Sequence, residues 1–213
     1  FWALAFVSLT ILIEFYRGAR ARHRNRGENY LTGVLSLIWS NKPRYGGYVV
    51  HLGVIILALG VAASQFYSVS VEKNLQVGES VAIKDYQLTY VGLSEYPTQR
   101  KQIVSATMEV SQNGQKLGRL TSEKVFRDGQ ENPTTEVGIR TTALEDLYLI
   151  LSGWEDDGSA SFKVLVNPMV VWIWIGGVIL LIGSAVAFWP DAREARRLAA
   201  YPATVPREVV ANA

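Results

Sequence analysis

A run of twenty residues, from Tyr48 to Tyr67, contains no charged side chain apart from the ionisable imidazole of His51. As an α-helix rising about 1.5 Å per residue, this run matches the ~30 Å hydrocarbon core of a bilayer. The sequence therefore predicts a transmembrane helix over residues 47–67, with His51 about one turn from its start. An ionisable residue inside a membrane is costly to bury, so His51 is a candidate functional residue.

The helix face that carries His51 is predicted to have room for a flat ligand. Small and aliphatic residues share this face on a 3.6-residue repeat: Gly47, Val54, Ile55, Ala58 and Ala62. Gly47 leaves space beside the imidazole, and neutral imidazole is a common metal ligand, which makes haem or metal ligation one interpretation. The alternative is a structural histidine that hydrogen-bonds a neighbouring helix or extends to the interface. The residues alone leave both interpretations open.

Residues 1–16 and 168–189 predict two further transmembrane helices. The first run is short for a complete span, and the chain begins within it without Met, so we expect a fragment of a longer polytopic protein or one piece of a split one. The tryptophans near the two ends of the last helix are expected to be interfacial anchors: Trp172, Trp174 and Trp189.

Positive charge is concentrated beside the predicted spans. Residues 17–46 contain seven Lys or Arg against the single acid Glu28, and more arginines follow the last span in the tail 190–213. A basic cluster can bind nucleic acid, but directly after a membrane span it more often marks a cytoplasmic flank. Within this loop, the apolar spacing over residues 30–40 predicts an amphipathic helix on the membrane surface. His23, inside the cluster, is expected to be solvated.

The polar block 68–167 contains ten Lys or Arg and fourteen Asp or Glu, a net charge of −4, which disfavours nucleic acid and favours an extracytoplasmic position. Its pattern is that of β-strands. Residues 103–112 alternate, with Val104, Ala106, Met108 and Val110 on one face, and Asn113-Gly114 predicts a tight hairpin turn. We therefore expect an antiparallel β-sandwich or small β-barrel. Residues 155–157 resemble a calcium site weakly, and an acidic turn is the preferred interpretation.

The chain contains no cysteine. This excludes disulfides, thiolate metal ligands, a cysteine nucleophile and covalent haem attachment to this chain. The polar block also lacks histidine, so it cannot hold a Ser-His-Asp triad.

Three stretches together resemble the CcmF family, the haem-lyase subunit of bacterial and plant mitochondrial cytochrome c maturation. Residues 41–53, Asn-Lys-Pro-Arg-Tyr-Gly-Gly-Tyr-Val-Val-His-Leu-Gly, resemble the stretch around that family's second transmembrane histidine. Residues 133–139 and 144–148 resemble its extracytoplasmic segment before the last helix. Asn167-Pro168 and residues 172–177 resemble that helix itself.

The resemblance implies an antiparallel extracytoplasmic domain inserted among three membrane helices, and a role in attaching haem to apocytochrome c. It also implies that His51 is an axial iron ligand of a membrane b-type haem, with Gly47 beside it, and that this haem keeps the substrate haem iron reduced. The implied partners are the remainder of a CcmF-like protein, a haem chaperone, a thiol-reducing subunit and apocytochrome c. The implied location is the bacterial inner membrane, with residues 68–167 on the periplasmic side.

The chain also departs from the family pattern. The tryptophan-rich periplasmic segment, the two periplasmic histidines and the other transmembrane histidine are all absent. The chain thus resembles the C-terminal part of a CcmF protein, and by itself it is not expected to be a catalytic lyase. Two other functions remain open from the sequence. One is a membrane-anchored β-domain that docks a partner, and the other is a b-haem subunit of a quinol-linked electron-transfer complex.

Overall fold

The computed structural model describes residues 2–98, 101–127 and 132–190. Its helices are α1 (Trp2–Arg26), α2 (Tyr30–Ser40), α3 (Lys42–Phe66) and α4 (Val170–Ala187). The described residues between α3 and α4 form nine strands: β1 (Val69–Leu75), β2 (Ser80–Ile83), β3 (Tyr86–Thr98), β4 (Lys101–Gln112), β5 (Gln115–Arg127), β6 (Thr134–Glu136), β7 (Gly138–Thr141), β8 (Glu145–Trp154) and β9 (Ala160–Pro168). The chain forms two compact units, residues 56–176 and the remainder on either side.

Within the part of the chain that the structure describes, three helices are long and apolar enough to cross a membrane: α1, α3 and α4. The predicted surface helix over 30–40 corresponds to α2, and the predicted last span contains α4. Two helix ends differ from the sequence predictions. α1 continues ten residues beyond its apolar run, to Arg26, because arginine has a high helix propensity. α3 begins at Lys42 rather than residue 47. The predicted tail lies outside the described residues after position 190.

Glycines let the membrane helices approach closely. In the helical unit, a Cβ on Gly46 would lie 2.7 Å from the backbone nitrogen of Ala187, and one on Gly183 would lie 2.6 Å from that of Val50. In the other unit, a Cβ on Gly60 would lie 2.8 Å from Cγ1 of Ile173. α3 and α4 therefore approach closely at Gly60, as small residues permit.

The polar block is an antiparallel β-sandwich, as the sequence predicts. One sheet has the order β1-β9-β8-β7 and the other β2-β3-β4-β5-β6. Their inner faces share one core, whose largest fully buried side chains include Tyr90, Phe162, Met108, Leu147 and Leu149. The predicted apolar face of β4 points into this core, because Val104, Ala106, Met108 and Val110 are all buried.

The predicted hairpin joins β4 to β5. Gln112 pairs with Gln115, so the loop consists of Asn113 and Gly114 alone. Their φ angles of +49° and +80° are those of a type I′ turn, which needs a left-handed backbone at both positions.

The acidic segment between β8 and β9 is a turn. The backbone N–H of Ser159 donates a 2.9 Å hydrogen bond to Oδ1 of Asp157, and this bond lowers the pKa of the Asp157 carboxyl. Gly158 has a φ of +85°, and the N–H of Glu155 donates to the carbonyl of Ser159. The segment therefore closes on its own backbone and side-chain hydrogen bonds.

Candidate functional site

A groove on the surface of the helical unit carries the predicted site residue. Its volume is about 280 Å³, and residues of α1 and α3 line it: Phe6, Val7, Thr10, Ile11, Glu14, Tyr48 and His51. The α1 residues recur at intervals of three to five positions, so they form one face of that helix. His51 is exposed on α3 at this groove.

The imidazole of His51 is held by a local hydrogen bond. Its Nδ1 lies 2.8 Å from the carbonyl oxygen of Gly47, one helical turn earlier. A carbonyl oxygen can only accept, so the proton of the neutral ring must be on Nδ1. The lone pair is then on Nε2, which is the atom that can bind a metal. A ligating histidine typically makes such a bond through its other nitrogen, which fixes the ring and its tautomer.

Gly47 has open space where a Cβ would lie. Apart from the adjoining residues and the backbone of its own helix, no described atom lies within 4 Å of that position. Two of the residues predicted to share the face of His51 differ in exposure. Val54 is 46% exposed, whereas Ile55 is only 5% exposed, so the exposed part of this helix face does not include Ile55. Residues three and four positions after His51 lie on opposite sides of it, so the open face is tilted towards Val54 and away from Ile55.

The same groove has a polar end that the sequence analysis did not find. Nη2 of Arg44 lies 2.9 Å from Oε2 of Glu14, and Nε of Arg44 donates a 3.3 Å hydrogen bond to the hydroxyl of Tyr48. Tyr48 packs edge-on against Tyr45 and Phe15, with ring centroids 5.8 and 6.1 Å away. One sequence signal was available, since Glu14 is the only acid in the first apolar run.

His23 lies outside this groove. Its Nδ1 is 2.8 Å from the carbonyl oxygen of Glu28, and its ring stacks on Tyr30 at a centroid distance of 4.8 Å. Glu28 lies in the connection between α1 and α2, and Tyr30 begins α2, so the contacts of His23 within the described chain are local ones.

The arrangement can present one neutral nitrogen ligand above a largely apolar surface. The groove volume of about 280 Å³ lies just below the range of about 300–1,000 Å³ that is usual for small-molecule sites. A ligand with the area of a macrocycle would therefore need a second wall from another element.

Comparisons with known proteins identify the β-sandwich. The model of the CcmF C-terminal beta-sandwich matches residues 66–168. The cytochrome c-type biogenesis protein CcmF of Haemophilus influenzae is 29% identical over 183 residues, which are 86% of this chain and 27% of that protein. CcmF of Pseudomonas aeruginosa is 27% identical over 185 residues, which are 87% of this chain and 27% of the relative.

A solved structure of a cytochrome c haem lyase CcmF superposes with a TM-score of 0.63 at 21% identity, covering 85% of this chain and 34% of the other. At 21% identity, this structural similarity shows a shared fold and nothing more. The chain spans about a quarter of the length of the two relatives. The sequence matches and the fold agree with the resemblance of the three stretches, and they support a C-terminal fragment of the CcmF family, whose C-terminal beta-sandwich model matches residues 66–168.

Proposed function

We propose that this chain supplies His51 as one axial ligand of a b-type haem in the membrane, together with an extracytoplasmic β-sandwich, as part of a system that attaches haem to apocytochrome c. The observation that carries the proposal is the hydrogen bond from Nδ1 of His51 to the carbonyl of Gly47, because in the neutral ring it leaves the lone pair of Nε2 available at the groove. Relatives named as cytochrome c-type biogenesis proteins support the maturation role.

The residues present fit a haem. Neutral imidazole is a common iron ligand, and four aliphatic or aromatic residues of the groove suit the face of a macrocycle: Phe6, Val7, Ile11 and Tyr48. Bound there, the haem would supply one-electron redox chemistry. His51 would hold the iron, the carbonyl of Gly47 would fix the imidazole, and the apolar α1 residues would exclude water.

The proposal requires partners. The sequence contains two histidines, and His23 is bonded elsewhere, so the second axial ligand would come from outside this chain. We propose the remainder of a CcmF-type protein as its source. The proposed system also includes the haem chaperone, the thiol-reducing subunit and apocytochrome c of the maturation pathway. On this proposal the chain is part of a haem lyase and is not catalytic alone.

Replacing His51 with Ala in the complete CcmF-type protein is expected to abolish the haem b spectrum and reduce haem content by at least about tenfold, because an axial iron ligand is lost. The purified protein is measured by haem extraction and by its reduced absorption spectrum. His23→Ala is the matched control and should retain wild-type haem content. Added imidazole should restore part of the spectrum, since it can fill the empty coordination position without repairing a misfolded chain.

Wild-type haem content in folded His51→Ala protein would contradict the ligand assignment. It would favour the alternative in which the chain is a membrane-anchored β-domain that docks a partner. Loss of haem with normal cytochrome c maturation would instead favour a b-haem subunit of a quinol-linked complex.

We also propose that the β-sandwich lies on the periplasmic side and the connection between α1 and α3 in the cytoplasm. The basic residues 17–46 and the net charge of −4 in residues 68–167 support this orientation. This chain contains no cysteine, so it adds no thiol of its own to the background of single-cysteine labelling. Arg26 and Lys116 are suitable sites, because their side chains are 65% and 85% exposed.

Lys116→Cys is expected to react with an impermeant thiol reagent in spheroplasts with intact inner membranes, whereas Arg26→Cys should react only after lysis. Labelling of both sites in denatured protein controls for thiol reactivity. Reaction at position 26 with protection at position 116 in intact spheroplasts would reverse the proposed orientation.

A further inference from the structure

The groove at His51 has two chemically different ends. Thr10 and Ile11 line its middle, Glu14 lines one end, and Phe6 and Val7 line the other. Glu14 is eight residues from Phe6, which is about 12 Å along a helix. A ligand that extends along this groove would therefore contact charged groups at one end and hydrocarbon at the other.

Arg44 is placed to act at the polar end. It precedes His51 by seven residues, which brings it to nearly the same face of α3, about two turns or 10 Å away. Its guanidinium is held by the carboxylate of Glu14 at 2.9 Å and the hydroxyl of Tyr48 at 3.3 Å, and both of these partners line the groove.

Arg44 retains hydrogen-bonding capacity. A guanidinium has five N–H donors, and the side-chain bonds of Arg44 within the described part of the chain use Nη2 and Nε. The two N–H groups of Nη1 remain for a third acceptor. The side chain is also 53% exposed, so an incoming acceptor can reach it without displacing Glu14.

A haem is itself amphiphilic. One edge carries two propionate carboxylates, and the remaining edges are hydrocarbon. A carboxylate near a membrane needs strong donors, and the planar fork of arginine matches its geometry better than an ammonium group does. The polarity of the groove therefore favours a haem whose propionate edge lies at its polar end.

We propose that Arg44 binds a propionate of the haem that His51 ligates, with Glu14 and Tyr48 as positioning residues. This orients the propionate edge towards the start of α3 and the hydrocarbon edge towards Phe6 and Val7. The inference rests on the haem ligation proposed for His51, and it adds a residue that determines both the orientation and the chemical specificity of the site.

The test compares haem with its dimethyl ester, in which both propionates are neutral. Haem-free complete protein is titrated with each compound, and the six-coordinate low-spin absorption spectrum reports binding. A charge-assisted hydrogen bond contributes enough to change affinity by about tenfold to hundredfold. Wild-type protein is expected to bind haem at least about tenfold more tightly than the ester. In Arg44→Gln, haem affinity should fall by that factor, with ester affinity unchanged.

Lys42→Gln is the matched control. Lys42 is a second cation in the first turn of α3, but its Nζ lies over the rings of Trp39 and Trp189, at 5.1 and 5.9 Å, and not at the groove. This variant should keep the wild-type preference for haem over the ester. If Lys42→Gln lost the preference equally, the preference would come from general surface charge and not from a site at Arg44.

Wild-type protein that binds both compounds equally would overturn the inference even if Arg44→Gln did not fold. An Arg44→Gln variant with the wild-type preference would also overturn it. Both results leave ligation by His51 intact, because the low-spin spectrum persists. A wild-type protein that gives that spectrum with neither compound would instead overturn the haem site itself.

Discussion

Replacing Gly138 with Ala is expected to destabilise the β-sandwich by about 3 kcal/mol, at the upper end of the usual cost of overpacking. Gly138 begins β7, and a Cβ there would collide with the carbonyl oxygen of Thr121 in β5 and lie 3.0 Å from Cγ of Leu120. The carbonyl belongs to a backbone that pairs with β4 along the length of β5, so it cannot move away without disturbing the second sheet.

The measurement is the thermal midpoint of residues 66–168 as a purified domain, which we expect to fold because it has a core of its own. For a domain of this size, the expected loss lowers the midpoint by more than about 10 °C. Gly153→Ala is the matched control in β8 of the same sheet, because no atom lies within 4 Å of a Cβ there. Equal midpoints for the two variants would show that β7 does not approach β5 as closely as the structure has it.

The parts of the fold that the sequence predicts are those that local chemistry determines. Period-two alternation identifies the buried face of β4, because neighbouring side chains of a strand point to opposite faces. Asn113-Gly114 identifies the hairpin, because these residues tolerate positive φ. The tight position of Gly138 depends instead on β7 reaching β5 from the other sheet. No pattern within residues 133–141 reveals that contact.

The candidate site also has one part that the local sequence predicts and another that depends on contacts between helices. His51 and Gly47 are one helical turn apart, so their proximity follows from helix geometry alone. The ion pair of Arg44 with Glu14 joins residues thirty positions apart, and it requires α1 to pack against α3. The extension of α1 to Arg26 was missed for a related reason. The hydrophobic pattern marks where a helix meets lipid, whereas the helix itself continues as far as backbone propensity allows.

Gly183 in α4 is expected to be a sensitive packing position of the helical unit. A Cβ there would lie 2.6 Å from the backbone nitrogen of Val50 and 3.0 Å from the backbone carbon of Val49. An Ala Cβ has no rotamer that avoids these atoms, so α4 and α3 would have to separate by about 1 Å. In lipid, helix association depends strongly on close van der Waals packing, and we expect Gly183→Ala to cost about 1–3 kcal/mol.

The displacement would also reach the proposed haem site, because Val50 directly precedes His51. We expect Gly183→Ala to lower the haem content of the complete protein severalfold, although Gly183 does not line the groove.

Gly177→Ala is the control on the same helix, since a Cβ there meets no atom within 4 Å beyond the adjoining residues and its own helix backbone. For both variants, unfolding is measured at increasing concentrations of a denaturing detergent, and haem content is measured by extraction. Equal stability of the two would contradict the close packing, whereas a destabilised Gly183→Ala with full haem content would show that the site tolerates movement of α3. Because the shortest contact of the new Cβ is with the backbone nitrogen of Val50, no change of side-chain conformation can relieve it, which is why one methyl group is expected to act at this distance.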